Sequence, residues 1–132
     1  MDKKVVGTEK LYRAVKRSQP NTIDEYGKPT SALFKDDNGV SVDRDGSRLE
    51  DEIIGCFKLR FGPRFKALFR FGANICLDNN IAVIPDYGYH AELFDDCQKT
   101  PLSQLKALIL ADSCSAVTFE SNIAWVSPVG EA

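Results

Sequence analysis

SRLEDEIIGCFKLRFGPRFKALFRF, residues 47–71, changes its hydrophobic period partway along, and that change sets the fold. In the first half, Leu49, Ile53, Ile54, Phe57 and Phe61 recur at helical spacing. Ser47 and Glu50 have the S-x-x-E spacing of a capping box, acids fill the first turn, and Lys58 and Arg60 fall in the last, which suits the helix dipole. Gly62-Pro63 stops the helix. Beyond it Phe65, Ala67, Phe69 and Phe71 alternate, as one face of a β-strand does. A helix over 48–61 running directly into a strand is therefore expected.

Outward from this pair, KLYRAVKR (10–17) alternates like a strand, and 18–30 is rich in turn formers. SALFK and VSVDR flank Asn38-Gly39, a hairpin signal. On the C-terminal side, GANICLDNN suggests a helical turn, IAVIPD a buried strand stopped at Pro85, and YGYHAELF another strand. Thr100 followed by Pro101 opens a second helix over 101–112, with Leu102, Leu105, Leu108 and Ile109 as its apolar stripe. AVTF and NIAWV read as late strands. Short strands with two main helices point to an α+β fold, the helices on one face of a largely antiparallel or mixed sheet. Too few helices separate the strands for a doubly wound α/β fold.

The 132 residues fit one domain, 1–132, and a composition of 43% hydrophobic and 27% charged residues is that of a globular protein. MDKKVVGTEK at the N-terminus has no apolar core of a secretory signal, and no apolar run approaches the length of a membrane span, so a soluble, cytoplasmic protein is expected. Cys56, Cys76, Cys97 and Cys114 form no CxxC pair and are expected as free thiols, with Cys56 and Cys76 buried and Cys97 exposed. The net charge is −2, but residues 57–70 hold five bases and no acid, while 36–56 hold seven acids and two bases. Blocks of this kind create local fields on a nearly neutral chain.

His90 is the only histidine, so a multi-histidine metal site is ruled out, and neither metal nor cofactor is expected. On a strand, His90 shares a face with Gly88 and Glu92. It would serve as a general base, oriented by Glu92 or a residue from elsewhere. A half-buried ring with one hydrogen bond is the commoner fate of a lone histidine. SVDRDGSRLEDE (41–52) places Asp43, Asp45, Gly46 and Glu52 at calcium-loop positions, but Ser41 stands at the first ligand position and the preceding segment reads as strand. CFKLRFGPRFKALFR (56–70) interleaves Lys58, Arg60, Arg64, Lys66 and Arg70 with phenylalanines, a composition suited to single-stranded nucleic acid, although the same phenylalanines fit a core. Nucleophile-elbow, phosphate-loop and HExxH patterns are missing. Arg13, Ser31 and Glu92 loosely match the Arg/Ser/Glu set of ADP-ribosyl transfer enzymes.

LYR at 11–13, PTSALF at 29–34, SVDR at 41–44 and HAEL at 90–93, in that order, resemble a group of small, mostly uncharacterised bacterial proteins of similar length. The resemblance spans about 10–112 and implies a stand-alone bacterial cytoplasmic protein. It groups Arg13, Ser31, Asp43, Arg44 and His90 as a possible cluster.

Two classes of function follow. With no complete catalytic constellation, the leading expectation is an interaction or binding module that engages a protein partner or a second copy of itself, away from any membrane. The alternative is a small enzyme or toxin-like effector, with His90 and either Arg13 or Arg44 acting on an anionic substrate and Ser31, Asp43 and Glu92 as ligand contacts. His90 in a concave pocket beside either arginine favours the enzyme; His90 alone at the surface favours the module. Nucleic-acid binding through 56–70 is a third, less favoured reading.

Overall fold

The computed structural model describes residues 4–120. Within them lies one six-stranded sheet, antiparallel throughout, in the order β4-β5-β2-β1-β3-β6. The strands are β1 (Lys10–Lys16), β2 (Val40–Arg44), β3 (Phe65–Gly72), β4 (Ala82–Pro85), β5 (His90–Phe94) and β6 (Ser115–Phe119). The helices are α1 (Glu50–Phe61), α2 (Ala73–Asp78) and α3 (Gln104–Ser113). The fold is thus α+β, with 47–71 forming the expected helix-to-strand unit. AVTF falls in β6, whereas NIAWV lies outside the described residues.

Strand alternation divides the core in two. Leu11, Val15, Val42, Ala67, Phe69, Phe71, Ala91 and Leu93 pack with Leu33, Phe34, Cys76, Leu110 and Ala111 from α2, α3 and a short 3-10 helix at Ser31–Phe34. Tyr12, Ala14 and Leu68 face the other way, against Ile53 and Phe57 of α1. Helices therefore cover both faces, not one. The face under α1 has the smaller apolar cluster and stays open beyond the helix edge.

Several local expectations are corrected. Ser47 does not cap α1. Gly46 and Ser47 both take left-handed backbone (φ +58° and +61°), whereas an N-cap needs extended backbone. Leu49 is the N-cap, and its N–H donates to the Glu52 carboxylate at 3.0 Å. The second helix starts at Gln104 because Thr100 closes a turn, its hydroxyl donating to Asp96, and Ser103 Oγ accepts from the Lys106 N–H. Its buried side is Ala107, Leu110 and Ala111, which leaves Leu105 and Leu108 exposed.

SALF is a 3-10 helix, not a hairpin arm. Leu33 and Phe34 are adjacent and both fully buried, which the alternating faces of a strand do not allow on one side of a sheet. β2 pairs with β1 and β5 instead. IAVIPD contributes a buried Ile81 and an edge strand, Ala82–Pro85, whose side chains are half-buried, not a buried strand. Phe65 joins the α1 side and not the face of Phe69 and Phe71, because the register shifts by a bulge at Val15/Lys16. Cys56 is exposed on α1, while Cys76 is buried and all four thiols are free.

One irregularity shapes the site. β1 and β2 pair at only two positions, Leu11↔Arg44 and Tyr12↔Asp43. Where the ladder would continue, Arg13 Nε donates to the Leu33 carbonyl at 3.1 Å and Nη1 to the Ser41 carbonyl at 2.9 Å. A side chain thus satisfies carbonyls that strand pairing leaves open.

Candidate functional site

A cleft of about 590 Å³ opens on the α1 side, between α1 and the β4–β5 turn. Arg13, Lys16, Arg48 and Arg60 line it together with Asp36, Asp43 and His90, and its aromatic wall is Phe57, Phe61, Tyr87 and Tyr89. The four bases outnumber the two carboxylates, so the cleft is locally positive on a chain of net charge −2.

His90 is held at one end by the hairpin. Gly88 takes left-handed backbone (φ +53°), the His90 N–H donates to the Tyr87 carbonyl at 2.8 Å, and the Asp86 N–H donates to the His90 carbonyl at 3.2 Å. Asp86 and His90 thereby face each other, with Nδ1 2.6 Å and 2.8 Å from the two Asp86 carboxylate oxygens. The ring stacks on Tyr87 with centroids 5.1 Å apart. With Asp86 accepting from Nδ1–H, Nε2 is left without a partner among the described residues, as a proton acceptor needs. Burial works to raise the Asp86 carboxyl, but hydrogen bonds from His90 and the Tyr87 amide, with the charge of His90, hold it below its ordinary value.

The arginines are fixed by different means. Asp43, buried and opposite His90 in the β2–β5 register, receives Arg60 Nη1 at 3.2 Å and Nη2 at 3.0 Å. Arg48 lies 3.7 Å above the Tyr89 ring, donates from Nη2 to the Arg44 carbonyl at 2.8 Å and approaches Asp43 at 3.8 Å. Burial pushes the Arg13 guanidinium down to about 10, against the pull of Asp36, so it stays charged at neutral pH. Its hydrogen bonds go to carbonyls, no carboxylate pairs with it directly, and Nη2 has no hydrogen-bond partner among the described residues.

Of the residues singled out in the sequence, Arg13, Asp43 and His90 line the cleft, Arg13 from a position opposite Phe69, with its guanidinium donating to the Leu33 and Ser41 carbonyls in the gap between β1 and β2. Arg44 does not. It lies opposite Leu11 on the other face of the sheet and clasps Glu9, with Nε–Oε1 and Nη2–Oε2 both 2.8 Å. Ser31 is also elsewhere, accepting from Gln104 Nε2 at 3.0 Å, so the Arg/Ser/Glu set is not assembled. The residue that orients His90 is not Glu92 but Asp86, four residues before it. The available signal was the turn glycine of PDYGYH, which puts the residues at either end of the turn on facing strands.

The calcium-loop reading fails, since Asp43 is tied to Arg60 and Glu52 to the Leu49 amide. Among the described residues, the donor atoms of Asp86, His90 and Glu92 lie within 4.8 Å of one another and form the set with metal-ligand spacing. In the basic-aromatic segment, Lys58 pairs with Glu120, Arg60 with Asp43 and Arg70 with Glu50, leaving Arg64 and Lys66 outside ion pairs among the described residues. No described helix is long and apolar enough to cross a membrane. No family model matches the chain, and no curated protein or solved structure is detectably similar to it.

Proposed function

We propose that the protein is a small acid–base enzyme that binds an anionic molecule in this cleft and exchanges a proton with it at His90 Nε2. The observation that carries the reading is the Asp86–His90 pair at the mouth of a cleft lined by Arg13, Arg48 and Arg60. Asp86 fixes the tautomer and stabilises the charged ring, the role a carboxylate plays behind a catalytic histidine. The arginines hold the anionic group and offset negative charge that develops when a proton leaves. Of the two arginines considered with His90, this reading keeps Arg13 and drops Arg44.

The lone histidine makes the test direct, because its ring signals need no assignment among others. Titration with inorganic phosphate should shift the His90 ring resonances saturably. His90→Gln should abolish turnover on any phosphate or carboxylate ester the wild type processes, a loss on the order of 10²-fold or more. Ring signals that ignore every anion refute the reading.

A second reading, the interaction module, has its own observation. α3 exposes Leu105 (67%) and Leu108 (43%) beside α2, which exposes Leu77 (48%). Light scattering of wild type and Leu105→Glu tests it, with a concentration-dependent oligomer lost in the variant as the supporting result.

A further inference from the structure

The cleft is longer than one small anion. His90 sits opposite Asp43, which sits opposite Tyr12, and Lys16 lies four residues further along β1. At the rise of a strand that separation is roughly 13 Å. At this second end Phe61 has three cations against its ring, Lys16 Nζ at 5.2 Å, Arg64 at 5.6 Å and Arg60 at 5.7 Å from the centroid. Arg60 is neutralised by Asp43, but Lys16 and Arg64 form no ion pair among the described residues, and Arg13 bonds only to carbonyls. Asp36 is the carboxylate that lines this end of the cleft. Lys16 and Arg64 against one ring, with Arg13 lining the same cleft, repel each other with Asp36 as the opposing charge, and a multiply charged anion relieves the repulsion where a chloride would do so weakly.

We propose that the ligand is a di- or triphosphate of a small organic molecule, its phosphate chain held by Arg13, Lys16 and Arg64 beside Phe61 and its reacting group at His90. The inference rests on the proposed role of His90 for the second half of that statement only. Burial, then the neighbouring charges of Arg13 and Arg64, push the Lys16 ammonium below its ordinary value, with Asp36 acting in the opposite sense. The span separates this ligand from orthophosphate, which reaches one end alone.

Calorimetric titrations at constant ionic strength with orthophosphate, pyrophosphate, tripolyphosphate and adenosine triphosphate test the proposal, each repeated on Lys16→Gln and Arg64→Gln. Tripolyphosphate should bind about tenfold or more tightly than orthophosphate, and either cation variant should remove most of that gain. Adenosine triphosphate should shift the His90 ring signals in the wild type. Equal affinity for ortho- and tripolyphosphate, with the cation variants silent, overturns the polyphosphate end; a His90 ring that still responds then leaves the acid–base reading standing. Triphosphate binding that depends on Lys16 and Arg64 but leaves the ring unmoved keeps the polyphosphate end and overturns the role of His90. A thymidine oligomer that displaces tripolyphosphate at lower concentration overturns the small-molecule class in favour of a nucleic-acid strand.

Discussion

Replacing Arg44 by methionine separates architecture from chemistry. The Arg44 side chain is 2% exposed and Glu9 13%, and the two share paired 2.8 Å contacts. Arg44 also reaches the Lys4 carbonyl at 3.4 Å, so it ties the segment before β1 to the sheet. Removing one member of such a buried pair strands the other's charge, which costs about 3–5 kcal/mol. For a chain of this length that corresponds to a melting temperature lower by roughly 10–20 °C. Glu9→Gln removes the carboxylate from the more deeply buried partner and should cost a comparable amount, offset in part by the hydrogen bonds the amide keeps.

The pH dependence has a definite sign. The hydrogen bond from Arg44 holds the Glu9 carboxyl below its ordinary 4.5, opposed by burial and helped by the Val6 amide and the charge of Arg44. A depressed carboxylate contributes fully above its unfolded value and loses that contribution as pH falls through the folded one. The gap between wild type and Arg44→Met in urea melts should therefore be widest near neutrality and narrow in acid. The cleft lies on the other face, so the folded variant should still shift its His90 signals with phosphate. A stability loss under about 1 kcal/mol, or a stable variant with no His90 response, refutes the structural assignment of Arg44.

Three further outcomes are expected. Asp86→Asn should weaken the anion response of His90 while changing stability by less than about 1 kcal/mol, since Asp86 is 37% exposed; an unchanged response, read by the same ring signals, counts against the pair. Gly39→Ala should destabilise by about 2 kcal/mol or more in urea melts, because φ is +101° and an added Cβ would lie 2.6 Å from Phe94 Cζ. Alkylation followed by mass spectrometry should label Cys56 and Cys97 quickly and Cys76 and Cys114 slowly, because burial pushes the latter two thiols up to about 12.

The elements visible in the sequence are those whose hydrophobic period is long and uninterrupted. α1 and β3 fall where Ile53, Phe57, Phe69 and Phe71 put them. Local capping chemistry misplaces a helix start where tertiary backbone overrides it, at Ser47 by left-handed φ and at Thr100 by the Asp96 turn. The faces of Phe65 and Leu105 depended on a bulge and on the placement of α3, neither of which leaves a local pattern. Arg13 and His90 could be named as candidates because of their residue type. What joins them is the interrupted β1–β2 ladder and the turn that brings up Asp86, and both are long-range or three-dimensional facts.

The interrupted ladder also bears on how the sheet moves. Central strands normally hold the slowest-exchanging amides of a domain. Here the middle is a seam, two ladder pairs long and bridged by one guanidinium, between β4-β5-β2 on one side and β1-β3-β6 on the other. α1 rides on the second trio through Tyr12, Ala14 and Leu68, and the His90 turn belongs to the first. A ligand touching both would act as a rivet across the seam. Amide exchange at Ser41 and Ala14 should be fast for the centre of a sheet and should slow when the cleft fills.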